Sequence, residues 1–312
     1  MKDLRESEKG ILVLDSGDLL FKKYLNPIPE NELKGISEKV HLMIESFNLM
    51  GYDATGVGDD DLILGKEFLL EISKKGNFPF LFSNLLDETS GKILFQSSLI
   101  KEINGLRIGI FSLLSPDFFT GPSDPRRKGL NIRSPIETAH AMVKELKPKT
   151  DLIILLSHLG YVKDIELAQT LQGINIIVGG HSGINLIYPP VIKNTIILQT
   201  ASRGMFGARL DLLLYNNEPT FYNSATKISL ENNLNSFNQR LNSKETPEVE
   251  KAQWQKAKEE TERTLNQLRG KNVFTNNIIP LQDQMKDHPD IKKLVEAYKV
   301  KAQTSENPAS PK

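Results

Sequence analysis

Two histidines that directly follow apolar runs are the residues of this sequence best suited to chemistry. His158 follows Leu-Ile-Ile-Leu-Leu-Ser, and His181 follows Ile-Ile-Val-Gly-Gly, so each is read as lying at the end of a buried strand. Asp18 and the acidic triplet 59–61 end two earlier segments in a similar way. Imidazole nitrogens and carboxylate oxygens are common ligands of divalent cations. The pattern therefore predicts one metal site at the edge of a sheet.

The secondary-structure elements that position these side chains can be predicted from the hydrophobic pattern. Short Val/Ile/Leu runs alternate with amphipathic helical patterns, and this alternation is typical of a sheet covered on both faces. Strands are predicted over 10–14, 54–57, 78–83, 93–103, 106–113, 151–156 and 174–178, and helices over 37–50, 65–75, 135–146 and 164–172. Asn104-Gly105 predicts a hairpin turn, and 195–200 with 208–215 is predicted as a second hairpin. The predicted fold class is an α/β sandwich with mixed strand directions.

The composition becomes more polar after about residue 216. A long helix is predicted from Thr246-Pro247 through Trp254, with only a thin apolar stripe. We expect it to dock on the domain, because isolated polar helices are marginal in water, and a partner-binding arm is the alternative. The predicted organisation is an α/β domain over 1–225, a helical extension over 226–302 and a disordered tail over 303–312.

Bulk composition excludes several classes of protein and site. The 39 basic and 39 acidic side chains balance, so there is no electrostatic reason to expect nucleic acid as a partner. The count of 0 cysteines excludes disulfides, thiolate metal sites and iron–sulfur clusters. No stretch approaches the roughly 20 apolar residues of a membrane span, and the first residues lack the apolar middle of a signal peptide.

Five motifs, in order along the chain, resemble those of the calcineurin-like metallophosphoesterases, specifically their 5'-nucleotidase branch. They are Leu-Asp-Ser-Gly-Asp-Leu-Leu at 14–20, Gly-Tyr-Asp-Ala-Thr-Gly-Val-Gly and the acidic triplet at 51–61, Leu-Ser-His-Leu-Gly at 156–160, Gly-Gly-His-Ser-Gly at 179–183, and Gln-Thr-Ala-Ser-Arg-Gly-Met-Phe-Gly-Ala-Arg-Leu-Asp at 199–211. The resemblance implies a calcineurin-like phosphoesterase sandwich of mixed β-sheets flanked by helices, followed by the helical extension. It also implies export to the periplasm or outside the cell, and a cytoplasmic location stays open.

The resemblance implies that Asp18, Asp59, His158 and His181 hold one of the family's two metals. Asp59 stands where the family has Asn, so a carboxylate replaces a neutral carbonyl ligand. Two histidines and two aspartates with open positions would fit one divalent ion, Zn, Mn or Fe. The alternative is a site without metal, in which Asp18 is a turn residue and both histidines form hydrogen bonds at strand ends.

Other positions depart from the family pattern and point to a site with one metal. The family's first Asp-x-His motif has no counterpart before Asp18. We expect the protein to contain this motif only if its natural reading frame begins upstream of Met1. The family's catalytic histidine is Asp60 here, and the second histidine of the last motif is Gly183. Asp60 is thus the candidate catalytic residue, although a carboxylate that faces a phosphate repels it. For Asp60 and Asp61, a solvated acidic loop is the alternative.

Asn84 and Arg203 are the weaker candidates, both for substrate binding. Asn84 follows an apolar run at a point where the family also has Asn, and a structural role in the loop is the alternative. Arg203 could contact an anionic substrate, and a surface arginine is the alternative.

Taken together, the residues and the resemblance predict a metal-dependent phosphoesterase, a 5'-nucleotidase-like hydrolase of nucleotide catabolism. Its substrate would be a small phosphate ester. The alternative is a catalytically degenerate family member that acts as a binding or scaffold protein, with the C-terminal helices contacting a protein partner. Asp60 and Gly183 favour this alternative, because both replace residues that the reaction uses in the family.

Overall fold

A computed structural model of the protein describes residues 2–8, 10–201, 204–244 and 246–306. The helices are α1 (Lys2–Ser7), α2 (Glu30–Met50), α3 (Gly65–Ser73), α4 (Pro135–Leu146), α5 (Tyr161–Thr170), α6 (Ser224–Asn242), α7 (Glu248–Leu268) and α8 (Pro289–Glu306). The strands are β1 (Leu14–Asp15), β2 (Ala54–Thr55), β3 (Leu85–Asp87), β4 (Ser98–Ile103), β5 (Leu106–Leu114), β6 (Leu130–Ile132), β7 (Leu152–His158), β8 (Ile176–Gly179), β9 (Val191–Ile192), β10 (Thr195–Leu198), β11 (Phe206–Leu213), β12 (Phe221–Asn223) and β13 (Asn272–Pro280).

The largest sheet has the strand order β4-β5-β7-β8-β10-β9. Strands β5, β7, β8 and β10 run parallel, and their buried Val, Ile and Leu side chains pack on both faces, with α4 and α5 on one of them. Ser157 on β7 is in register with Gly179 on β8. Because neighbouring parallel strands end at the same edge of a sheet, this register brings His158 and His181 to one place.

A smaller parallel pair positions the two aspartates. Strands β1 and β2 are in register at Asp15 and Thr55. Two single β-bridges extend this pair, one between Thr55 and Phe80 and the other between Leu81 and Gln96. Helices α2 and α3 pack against this part through a separate apolar cluster. The loops after β1 and β2 leave at the same edge, so that they carry the segments 16–20 and 58–62 towards the ends of β7 and β8.

Most of these elements were predicted from the sequence, but one predicted strand pairing is wrong. Helix α4 begins after Ser134, whose side chain accepts a hydrogen bond from the Glu137 N–H, and the Asn104-Gly105 turn joins β4 to β5 with positive φ at both residues. The hairpin between 195–200 and 208–215 is wrong, because β10 lies between β8 and β9 while β11 pairs with β13. A partner so far along the chain leaves no signal in local periodicity.

The C-terminal part joins the domain through strand β13 and through the contact of helix α8 with α2. Strand β13 lies between β11 and β12, helix α7 packs on α6, and α8 packs on α2. Phe237 of α6 stacks on Trp254 of α7 with ring centroids 5.6 Å apart. The long polar helix packs on a second polar helix of the predicted extension, whereas we expected it to dock on the domain. The predicted domain boundaries stay predictions, and residues 307–312 of the predicted tail lie outside the described part. Among the described helices, none is both long and apolar enough to cross a membrane.

Candidate metal centre

Asp18, Asp59, His158 and His181 lie together at the common edge of the two parallel sheets. Each offers one ligand atom, and these atoms all lie within 4.8 Å of one another. The Nε2 atom of His158 is 3.1 Å from Asp18 Oδ2 and 3.3 Å from Asp59 Oδ1. The Nδ1 atom of His181 is 3.3 Å from the same Asp59 oxygen. The structure thus brings the predicted ligands together, and their role in metal binding stays a prediction.

The backbone at this edge has unusual conformations. Asp18 has a φ of 58° and His181 a φ of 65°, a region that costs energy for residues other than glycine and that often occurs at functional sites. The loops after β1 and β2 also approach very closely, since a Cβ atom on Gly58 would lie 2.1 Å from Asp18 Oδ1. Glycine is therefore required at position 58 for the Asp18 side chain to stay where it is.

The ring orientation of His158 suits a metal ligand. His158 is fully buried, and its Nδ1 lies 3.0 Å from the Ser16 carbonyl oxygen, a distance at which an Nδ1–H donates to that oxygen. This contact turns the Nε2 atom towards the two carboxylates, as in metal sites where the second ring nitrogen is held by an outer partner. Both His158 Nε2 and Asp59 Oδ1 are buried, and neither makes a hydrogen bond of good geometry within the described part of the chain. A cation among these atoms would satisfy both, so the residues fit a divalent metal.

The charges at the site act strongly on one another. Burial by itself raises the pKa of Asp59, but the imidazoles of His158 and His181 outweigh it and hold that pKa well below its usual range. Burial lowers the pKa of His158, whereas the Asp18 and Asp59 carboxylates raise it well above its usual value. In the absence of metal, His158 therefore retains a proton that a cation would displace.

The acidic triplet is buried, so the alternative of a solvated loop is wrong. Asp60 and Asp61 are 7% and 2% exposed. The Asp61 carboxylate accepts hydrogen bonds from four backbone N–H groups, those of Asp18, Leu19, Leu20 and Gly58. Asp61 therefore ties the loop after β1 to the loop after β2 and holds Asp18 in its conformation.

Asp60, the candidate catalytic residue, lies beside the cluster of four ligands. Its N–H donates to Asp18 Oδ1 at 2.9 Å. Its Oδ1 atom accepts from the Tyr24 N–H at 3.0 Å and from the Arg126 guanidinium at 3.0 Å. The carboxylate is thus engaged by two donors, and its catalytic role stays a prediction.

Two residues beside the ligands had not been predicted from sequence. Arg126 is buried and donates to Asp59 Oδ2 at 2.6 Å. The Phe118 ring stacks on His181 with centroids 3.3 Å apart and planes 9° apart, and meets His158 edge-on. Both residues lie in short 3₁₀ turns far along the chain from Asp59. Pro116 and Pro125 signal those turns in the sequence, but no local signal indicates what the turns contact.

The two weaker candidates have different outcomes. The Asn84 side chain donates to the carbonyl oxygens of Leu114 and Arg133 and accepts from the Leu114 N–H. These contacts are those of the structural role, and the substrate role stays a prediction. Arg203 lies outside the described residues.

Comparison with known proteins identifies relatives of the chain among 5'-nucleotidases. No family model matches the chain. It is 27% identical over 247 residues to a 5'-nucleotidase of Vibrio cholerae, across 69% of this chain and 43% of that protein. The chain spans less than half the length of the curated relatives that it matches.

Solved structures agree on the fold. A 5'-nucleotidase precursor from Thermus thermophilus has a TM-score of 0.64 at 21% identity, over 97% of this chain and 52% of that one. The calcineurin-like phosphoesterase YfkN from Bacillus subtilis has a TM-score of 0.64 at 18% identity, over 96% of this chain and 86% of that one. Together with the Vibrio match, they confirm the calcineurin-like phosphoesterase fold and the resemblance to the 5'-nucleotidase branch.

Proposed function

We propose that this chain is the metal-binding part of a phosphoesterase of the 5'-nucleotidase type. It holds one divalent ion, Zn, Mn or Fe, through Asp18, Asp59, His158 and His181, and its substrate is a small phosphate ester such as a nucleotide. The observation that carries the proposal is the convergence of four ligand atoms within 4.8 Å of one another, two of them buried and without a hydrogen-bond partner among the described residues. The export implied by the resemblance stays a prediction.

The residues of the chain divide the work between fixing the ion and leaving it open to substrate. A bound divalent ion would lower the pKa of a water molecule and polarise a phosphoryl oxygen. Asp59 and His158 are buried and held by partners, so they fix the position of the ion. His181 is partly exposed, with 32% of its side chain accessible, so substrate has access from its side. Arg126 offsets the charge of Asp60, which reduces the expected repulsion between Asp60 and a phosphate.

The contacts of Asp60 favour a second candidate function, that of a protein that binds metal and ligand without turnover. The resemblance puts a histidine at this position, where it assists the leaving group. Here the position carries a carboxylate engaged by Arg126 and the Tyr24 N–H. A carboxylate held in this way is a poor proton donor to a leaving group, so this candidate predicts binding with very slow hydrolysis.

Metal titration and phosphatase assays on matched variants test the two candidates. We expect the wild type to bind one Mn²⁺ or Zn²⁺ ion in calorimetry and His158→Ala to lose more than about 100-fold in affinity, because even an outer partner of a ligand is worth about 10- to 100-fold. The control is His140→Ala, an exposed histidine on α4, which should change nothing. Hydrolysis of AMP or p-nitrophenyl phosphate that His158→Ala abolishes supports the enzyme. Binding without hydrolysis supports the second candidate, and a wild type that binds neither metal contradicts both.

A further inference from the structure

Among the described residues, Arg126 is the only arginine that contacts one of the four predicted ligands, and its guanidinium is buried. Arg126 is 5% exposed and pairs with three carboxylates. Its Nη1 donates to Asp59 Oδ2 at 2.6 Å and to Asp60 Oδ1 at 3.0 Å. Its Nε and Nη2 donate to Asp124 at 3.1 and 2.9 Å. Every nitrogen of the guanidinium is therefore engaged.

The two oxygens of Asp59 have different surroundings. Oδ2 accepts from Arg126, whereas Oδ1 faces the imidazoles of His158 and His181 and has no hydrogen-bond partner in the part of the chain that the structure describes. Rotation of the carboxylate would break the contact with Arg126, which is charge-assisted and therefore among the stronger hydrogen bonds. We propose that Arg126 is a positioning residue that fixes Asp59 so that Oδ1 alone points to the bound ion. This inference rests on the proposed metal site.

The surroundings of Arg126 make it rigid enough for this role. Asp124 caps the 3₁₀ turn Pro125–Arg127 and also accepts from the Thr120 N–H. The guanidinium lies over the rings of Tyr24 and Phe119, 4.8 and 5.0 Å from their centroids. It also donates to the Phe118 carbonyl oxygen at 3.0 Å, so that it ties the turn that covers His181 to the turn that carries Asp59. A planar fork with five donors can make these contacts at once, and a lysine cannot.

The role also explains how a carboxylate is tolerated at position 59. Asp59 and Asp60 place two carboxylates side by side in one buried turn. Such a pair requires compensating positive charge. Arg126 supplies one such charge from the protein itself, at the Asp59 oxygen that does not face the histidines.

A double-mutant cycle with a matched control tests the inference. Metal affinity would be measured by calorimetry with Mn²⁺ or Zn²⁺ for the wild type, Arg126→Gln, Arg126→Lys, Asp59→Asn and Asp59→Asn/Arg126→Gln. The control is Arg127→Gln, the same charge change at the neighbouring residue, which lies over Phe119 at 5.7 Å and makes no ion pair in the described structure. Circular dichroism and thermal unfolding without metal would establish which variants fold.

We expect Arg126→Gln to weaken metal binding by about 10- to 100-fold and Arg127→Gln to change it less than about threefold. Loss of a positive charge near the site would by Coulomb's law strengthen cation binding, so weaker binding is the signature of positioning. Arg126→Lys should restore only part of the affinity. In the Asp59→Asn background, Arg126→Gln should cost less than about threefold, whereas damage to the turn alone would cost the same in both backgrounds.

Two results would overturn the inference, and a third would overturn the site itself. Unchanged or tighter binding by folded Arg126→Gln contradicts the positioning role, and so does an equal loss in both Asp59 backgrounds. If Arg126→Gln does not fold, Arg126→Lys decides in the same way, with binding equal to that of the wild type as the contrary result. A wild type that binds no metal contradicts the proposed function, and the inference with it.

Discussion

The edge that carries the candidate metal centre and the helical pair α6–α7 use charged residues in opposite ways. At the edge, Asp59, Asp60 and Asp61 are buried, and each is held by a guanidinium or by backbone N–H groups. In α6 and α7 no residue is buried, and ion pairs such as that of Lys251 with Glu248 connect successive turns at the surface. Exposed pairs of this kind contribute little to stability. The two regions therefore differ in whether their charged residues are buried, and not in whether they contain charged residues.

The largest effect should come from removing the carboxylate that ties the two loops together. Asp61→Ala leaves four backbone N–H groups without their acceptor, and each unpaired buried donor costs about 1–3 kcal/mol. We expect the free energy of unfolding to fall by about 3 kcal/mol or more in urea denaturation, together with a loss of metal binding. The control is Asp283→Ala at an exposed position, and similar stability for the two variants would remove the contrast between buried and surface carboxylates.

Metal affinity should depend on pH in a direction set by His158. Its raised pKa means that a proton occupies the ring where the ion would bind, so binding must displace that proton. We expect affinity to fall by up to about tenfold per pH unit as the pH decreases from 8 to 6, with about one proton released per ion. Calorimetry in buffers of different ionisation enthalpy measures both quantities. Affinity that does not vary with pH would show that His158 is already unprotonated.

Asp164, a buried carboxyl group that is not one of the four predicted ligands, should make the stability of the fold depend on pH in the opposite direction. Burial raises the pKa of Asp164 to about 7, and Ser157 donates to one of its oxygens. In the unfolded chain the same carboxyl group loses its proton near pH 4. The stability that this group contributes to the folded state is therefore present in full below pH 4 and is lost as the pH rises towards 7. We expect Asp164→Asn to be more stable than the wild type by about 1–3 kcal/mol at pH 8 and to have a flatter profile of stability against pH. Asp283→Asn is the control, and equal profiles for the wild type and Asp164→Asn would contradict the raised pKa.

The smallest effect should come from the helical pair. Trp254→Ala removes the stacking on Phe237 and the contact with the Arg240 guanidinium, 4.5 Å from the ring centroid. We expect the free energy of unfolding to fall by about 1 kcal/mol, as is typical of a partly exposed aromatic pair, with unchanged metal affinity. If metal affinity fell as well, the two regions would be coupled and the comparison would fail.

The meeting of the four predicted ligands was expected from sequence because each follows the end of an apolar segment. The pattern itself predicted one site at the edge of a sheet, and the choice of Asp59 within the acidic triplet came from the family resemblance. Arg126 was not predictable, because 67 positions separate it from Asp59 and the turn that bears it is marked only by Asp124-Pro125. The pairing of β11 with β13 was missed for the same physical reason, since both are contacts between distant segments of the chain.

The position of β13 has a consequence for the order in which this chain assembles. During synthesis β11 leaves the ribosome about 60 residues before β13, and its main described partner strand is absent for that interval. Phe274 of β13, which is fully buried in the cluster beneath the large sheet, is also missing until then. An open strand edge beside an incomplete core favours association between nascent chains. Chains that stop before residue 272 should therefore aggregate, even though all four predicted metal ligands are already present in them.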